Sequence, residues 1–147
     1  MYLVSACLAG VNCRYNGGNI TNIVIQELVK QGKAIAICPE QLSGLPTPRA
    51  CCEIVIAENG NRKIATKDGQ DFTKEFVEGA EKTLAIAKVI DVKKAILQSR
   101  SPSCGCGTIY NGTFTGNLKK GYGFTAELLI KNGIEVYTEN DLDKLKL

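Results

Sequence analysis

Along the chain, short apolar runs alternate with polar, glycine-containing stretches, and the apolar period switches between that of a buried strand and that of a helix. Tyr2–Ala6 predicts a buried strand that ends at Cys7, before Gly10. Ile20, Ile23, Val24, Leu28 and Val29 recur at helical spacing, with Gly32 placed to stop a helix. Ala34–Ile37 predicts a second short strand, running into Cys38-Pro39. Residues 41–50 contain Ser43, Gly44, Thr47 and two prolines, which predicts a loop. Glu53–Ala57 and Lys63–Ala65 flank Glu58-Asn-Gly-Asn61, a hairpin signal.

Asp71 is placed to cap a long helix that keeps Phe72, Phe76, Ala80, Leu84 and Ala87 on one face. Ala95–Gln98 predicts a strand running into Ser101-Pro-Ser-Cys-Gly105, and Thr108–Phe114 alternates around Asn111-Gly112, a further turn signal. A helix from 125 to 131, stopped by Gly133, leads to a strand at Ile134–Tyr137 and a terminal helix at 141–146. Strands alternating with helices predict an α/β fold: one domain over residues 1–147, with a mainly parallel sheet flanked by helices in a Rossmann-like three-layer arrangement and a β-hairpin excursion.

Composition narrows the chemistry. The 147 residues include seven cysteines and no histidine, with a formal net charge of +3. Without histidine there is no Ser-His-Asp or Cys-His nucleophile, and no imidazole zinc ligand. The charge is too small to argue for nucleic acid. No apolar run is long enough for a membrane span, and the amino-terminal run lacks the basic stretch of a secretory signal. The expectation is a cytoplasmic protein with reduced thiols, where cysteines more often mean metal or catalysis than bridges. Gly10 and Gly17-Gly18 belong to no Gly-x-Gly-x-x-Gly or Gly-Lys-Ser/Thr pattern, so a dinucleotide or ATP enzyme is not expected.

Cys7, Cys38 and Cys104 each follow the end of a predicted strand. Ligands of open parallel α/β sheets bind at the carboxyl ends of the strands, so the three thiols are candidates to converge, although the same positions also suit small core residues. Cys38-Pro39-Glu40 sets a carboxylate two residues past a thiol, and Ser101 and Ser103 flank Cys104. Thiolate-only ligation favours zinc or an iron–sulfur cluster. There is no Cys-x-x-Cys pair and no close-packed ferredoxin spacing, and dispersed strand-end ligands fit a cluster held by the fold. Three thiolates on a four-iron cluster leave one iron open. Cys51 and Cys52 read as small residues entering a strand, and Cys13 as a support beside the site. Arg14, Arg49 and Arg100 are candidates for a substrate phosphate.

The segments Val4-Ser-Ala-Cys-Leu-Ala-Gly10, Cys13-Arg-Tyr-Asn-Gly17, Cys38-Pro-Glu40, Gly44-Leu-Pro-Thr-Pro-Arg49, Ser101-Pro-Ser-Cys-Gly105, Tyr110-Asn-Gly-Thr-Phe-Thr-Gly116 and Gly121-Tyr-Gly-Phe-Thr-Ala126 together resemble the domain-of-unknown-function 523 family, which includes the thiouracil desulfidases. The resemblance is collinear over essentially the whole chain. It implies a [4Fe-4S] enzyme that takes sulfur from thiouracil or 4-thiouridine monophosphate, with cluster ligands Cys7, Cys38 and Cys104 and acid/base residues Glu40 and Ser101. One departure is Gln98, where such sequences often carry lysine.

From these residues the expected chemistry is hydrolytic, non-redox C–S cleavage. The open iron takes the sulfur, Glu40 serves as base, and Ser101 or Ser103 positions or relays a proton. The expected partners are a small thiolated pyrimidine and a sulfide acceptor, with no membrane and no nucleic acid. The rival readings are a thiol redox or sulfur-carrier protein using Cys104-x-Cys106, and a non-catalytic metal-binding module.

Overall fold

A computed structural model describes residues 1–147. In chain order the elements are β1 (Tyr2–Ser5), α1 (Ile23–Lys30), β2 (Ala34–Ile37), α2 (Pro39–Leu42), β3 (Cys52–Ile56), β4 (Arg62–Thr66), α3 (Thr73–Val89), β5 (Lys94–Leu97), β6 (Cys106–Tyr110), β7 (Leu118–Tyr122), α4 (Phe124–Lys131) and β8 (Glu135–Thr138). Single 3-10 turns cover Ala6–Ala9 and Leu142–Lys144.

Four strands pair in parallel in the order β2-β1-β5-β8. The chain therefore adds β2 on one side of β1 and later β5 on the other. That reversal makes the carboxyl edge between β1 and β5 a switch point, the usual ligand crevice of such sheets. Side chains alternate between two cores. Leu3, Ala95 and Leu97 pack with Ala87, Ala126 and Leu129 under α3 and α4. Val4 and Ile96 pack with Ile25, Leu28 and Leu145 on the opposite face. The expected α/β architecture, a parallel sheet between helical layers, is the one observed.

The remaining strands form two antiparallel hairpins, β3–β4 and β6–β7, outside that sheet. They are joined to α3 by a smaller core of Ile54, Ile64, Phe76 and Ile109. Glu53 reinforces the junction: its buried Oε1 accepts from the N–H groups of Gly112 and Phe114 at 2.9 and 3.2 Å.

Several boundaries differ from expectation for local reasons. The first helix starts at Ile23 because the Asn22 side chain caps the N–H groups of Val24 and Ile25. Residues 39–42 form a helical turn where a loop was expected from 41, with Pro39 at the position where a missing N–H costs nothing. Asn111-Gly112 does not make a two-residue turn. The β6–β7 connection runs from Asn111 to Asn117, and Gly112 instead lets the backbone approach Ile54, whose carbonyl oxygen would lie 2.6 Å from an added Cβ. The strand Leu118–Tyr122 carries no apolar alternation and is held by pairing to β6. The terminal helix is a single 3-10 turn. No helix is long and apolar enough to cross a membrane.

Candidate functional site

The carboxyl edge of β1, β2 and β5 opens into a cavity of about 310 Å³. Cys7, Cys38 and Cys104 line it together with Cys13, Glu40, Arg49, Ser101 and Gln98. Each thiol is positioned by a strand end: Cys7 sits in the 3-10 turn after β1, Cys38 caps α2 after β2, and Cys104 lies in the loop after β5. Ser5 Oγ accepts from the Gln98 N–H at 2.9 Å and ties the ends of β1 and β5. The Cys104 loop is locked by the start of α4, where the N–H groups of Phe124, Thr125 and Ala126 donate to the carbonyls of Pro102 and Ser103. Gly123 permits that approach, since an added Cβ would lie 2.4 Å from the Ser103 carbonyl oxygen.

Cys13, expected as a support beside the site, lies on the cavity wall next to the strand-end thiols. It is 1% exposed, and the Cys38 thiol donates to its backbone carbonyl at 3.8 Å. The Cys38 thiol and the Arg49 charge lower its pKa, but the Cys7 thiol and burial outweigh them and leave it at about 11. Cys38 is pushed well above the thiol range by its bond to Cys13 and by burial. Burial pushes Cys104 up to about 12, against hydrogen bonds with Ser5 and Ser103 that lower it. Four thiols therefore line one cavity, and the nearby Arg49 charge lowers the Cys13 pKa too little to offset burial and the neighbouring thiols.

Glu40 is held by Arg49. Arg49 Nε donates to Glu40 Oε2 at 2.6 Å, and Nη2 approaches the same oxygen at 2.5 Å. Arg49 Nη2 also donates to the Cys13 carbonyl at 2.9 Å, and Nη1 to the Pro46 carbonyl and Thr47 Oγ1 at 3.2 and 3.1 Å. Four hydrogen bonds and the ion pair thus engage all three guanidinium nitrogens. Arg49, expected as a phosphate ligand, is thus committed to the protein itself.

The other candidates divide. Arg14 lines the cavity, has no carboxylate partner, and lies 5.6 Å from the Tyr15 ring. Arg100 is exposed and does not line the cavity; its carbonyl accepts from the Tyr110 N–H. Ser101 lines the cavity, and its Oγ accepts from the N–H groups of Ser103 and Cys104 at 3.0 and 2.8 Å. Ser103 does not reach the cavity: it is buried, with its hydroxyl on Thr125 Oγ1 at 2.8 Å, so its part is to brace Cys104. Cys51 and Cys52 lie on the cavity wall at the start of β3. Cys106 does not, since its Sγ points to the Val136 carbonyl at 3.7 Å, and burial raises its pKa. Cys104 and Cys106 therefore face different surroundings. Gln98 lines the cavity and spends one amide hydrogen on the Ser99 carbonyl.

The donor set limits what the cavity holds. Its acidic donors are thiols apart from the arginine-bound Glu40, and soft thiolates select zinc or iron–sulfur clusters. No three Cys, Asp or Glu side chains stand close enough to share one metal ion.

Fold and cavity place the protein among α/β enzymes that work at the carboxyl edge of a parallel sheet. Its chain belongs to the 2-thiouracil desulfurase family, whose model matches residues 2–141. It is 47% identical, over 99% of both chains, to the uncharacterized protein YbbK of Bacillus subtilis (strain 168). It is also similar to the solved structure of the [4Fe-4S]-dependent thiouracil desulfidase TudS (DUF523Vcz). That match has a TM-score of 0.89 and 41% identity, covering 98% of this chain and 93% of the other.

Proposed function

We propose that residues 1–147 act as one cytoplasmic desulfidase domain that hydrolyses the C=S group of thiouracil or 4-thiouridine monophosphate to C=O, releasing hydrogen sulfide without net redox change. The observation that carries this reading is the convergence of strand-end thiols and an anchored carboxylate on one cavity. The similarity to TudS and the unpaired state of all seven cysteines support it. Cys7, Cys38 and Cys104 would hold a [4Fe-4S] cluster. Such a cluster on three protein thiolates supplies one iron free to act as a Lewis acid toward the thiocarbonyl sulfur.

The protein's own groups do the rest. Leu45, Phe72, Phe76 and Tyr110 wall the cavity and limit bulk water around a planar ring. Glu40 Oε2 is taken by Arg49, and Oε1 has no protein partner. That free oxygen accepts the proton of the water attacking the ring carbon. Ser101 Oγ already accepts two backbone N–H groups, so its own proton is left to donate to the pyrimidine. Arg14 is the uncommitted guanidinium on the wall and serves an anionic substituent such as a phosphate. Water supplies the oxygen of the uracil carbonyl, and its two protons leave with the sulfur for release or capture by an acceptor.

The test is sulfide release from 2- or 4-thiouracil by anaerobically reconstituted protein, with iron and sulfide counted per chain. Glu40→Gln should keep the iron and lose at least about a hundredfold in turnover, the usual scale for a general base. A Glu40→Gln variant with full turnover removes Glu40 as the base, and a reconstituted wild type that releases no sulfide removes the substrate.

A further inference from the structure

The Cys13–Arg14 loop, the Leu45–Ala50 loop and α2 meet at one buried side chain. Arg49 is 8% exposed at its side chain, and Glu40 is 16% exposed. The Arg49 backbone N–H donates to the Tyr15 carbonyl at 2.7 Å, while its guanidinium grips Glu40, the Cys13 carbonyl and the 46–47 backbone and side chain. We propose that Arg49 is the positioning residue for Glu40: it holds one carboxylate oxygen so that the other is presented to the cavity, and it sets the Cys13 loop against the same wall. The inference rests on the proposed desulfidase reading and adds to it a residue that acts through Glu40.

The donor geometry explains why arginine is needed. Nε and Nη2 of one rigid planar guanidinium converge on Glu40 Oε2 and fix that oxygen in place, whereas lysine offers a point charge on a flexible stem. A lysine at 49 supplies at most three donors in place of five, so the charge is kept and the orientation lost. A carboxylate displaced by about 1 Å forfeits up to about a hundredfold in rate while substrate binding is little affected. A residue that only stabilises the fold lowers the melting temperature and acts equally with or without Glu40.

The experiment is a double-mutant cycle on reconstituted full-length protein. Arg49→Lys should lower kcat for thiouracil by about ten- to a hundredfold, with KM, iron content and the calorimetric affinity for uracil within twofold of wild type. On a Glu40→Gln background the same substitution should change kcat by less than twofold. Added guanidinium ion should restore part of the turnover of Arg49→Ala but none of that of Arg49→Ala combined with Glu40→Gln. Full turnover in Arg49→Lys overturns the proposal. So does a loss in the double variant that multiplies the two single losses, or a fall in uracil affinity that matches the fall in kcat. A wild type inactive on thiouracil is a different result, which overturns the desulfidase reading beneath it.

Discussion

The floor and the wall of the cavity are built on different principles. The floor carries Cys7, Cys38 and Cys104 at the ends of three parallel strands whose relative heights are set by sheet register. The wall comes from the 45–52 loop, the start of α3 and the β6–β7 hairpin, which share no sheet with the floor. Beyond the small core of Ile54, Ile64, Phe76 and Ile109, it is held by single contacts: Arg49 to Glu40 and Cys13, Glu53 to the 112–114 backbone, and Gly79 against α2. A site whose ligands ride on a sheet gains precision from backbone pairing. A wall assembled from loops gains it from particular side chains, and one substitution can move it.

Breaking the floor should have the largest effect. Loss of a residue that only supports a metal ligand costs about 10–100-fold, so Cys38→Ser should exceed that, with iron content falling in parallel. Cys51→Ser, on the wall, should keep its iron. Equal iron loss in both would erase the distinction.

Next comes the seam between the two. At Gly79, in α3, an added Cβ would lie 2.3 Å from the Pro39 carbonyl oxygen. Gly79→Ala should therefore push α2 away and destabilise the protein by about 1–3 kcal/mol, the usual range for overpacking. Denaturant unfolding measures this, and turnover should fall with it because Pro39 stands between Cys38 and Glu40.

Arg14→Ala probes the wall's freest charge. KM for 4-thiouridine monophosphate should rise about tenfold, the loss of roughly one charge-assisted contact, while KM for the uncharged base stays within twofold. Equal effects on both substrates would remove Arg14 as the anion ligand.

The smallest effect is expected at the exposed outer edge of the wall, at Asp71 between Gln70 and Phe72. The Thr73 hydroxyl and backbone N–H hold the Asp71 carboxyl below its usual pKa, with Thr73 N donating to Oδ1 at 2.8 Å. Because the folded value is depressed, the stabilisation is present above the unfolded carboxylate pKa and fades as pH falls through the folded one. Phe72 rather than the expected Asp71 is the N-cap of α3, so Asp71→Ala loses one exposed hydrogen bond and should cost no more than about 0.5 kcal/mol at pH 7 and nothing measurable well below the carboxylate range, as thermal melts at the two pH values will show.

Local patterning was a good guide wherever burial was periodic. Val4 and Ile96 face one layer and Leu3, Ala95 and Leu97 the other, and this alternation is what makes a central strand recognisable. It also located Cys7, Cys38 and Cys104, since each follows a strand that had been read correctly. Patterning failed at Leu118–Tyr122, where exposed Lys119 and Lys120 carry no periodic signal and strand geometry depends on a partner. It also failed at Asn111-Gly112, because the close approach that requires glycine is to Ile54, 58 positions away. Arg49 looked like a free cation for the same reason. Its acceptors on Cys13 and Glu40 come from other segments, and a motif records a residue's type but not what saturates it.

Seven cysteines without histidine confined the donor chemistry to sulfur and carboxylate, and alternating strands and helices determined an α/β sheet with thiols at its strand ends. Tertiary structure decided the strand order, the meeting of Cys13 with Cys7 and Cys38, the commitment of Arg49, and the retreat of Ser103, Cys106 and Arg100 from the cavity. The division has one physical cause. Periodicity and residue chemistry are local properties of the chain, whereas hydrogen-bond saturation and the facing of one loop by another depend on distances that exist only after folding.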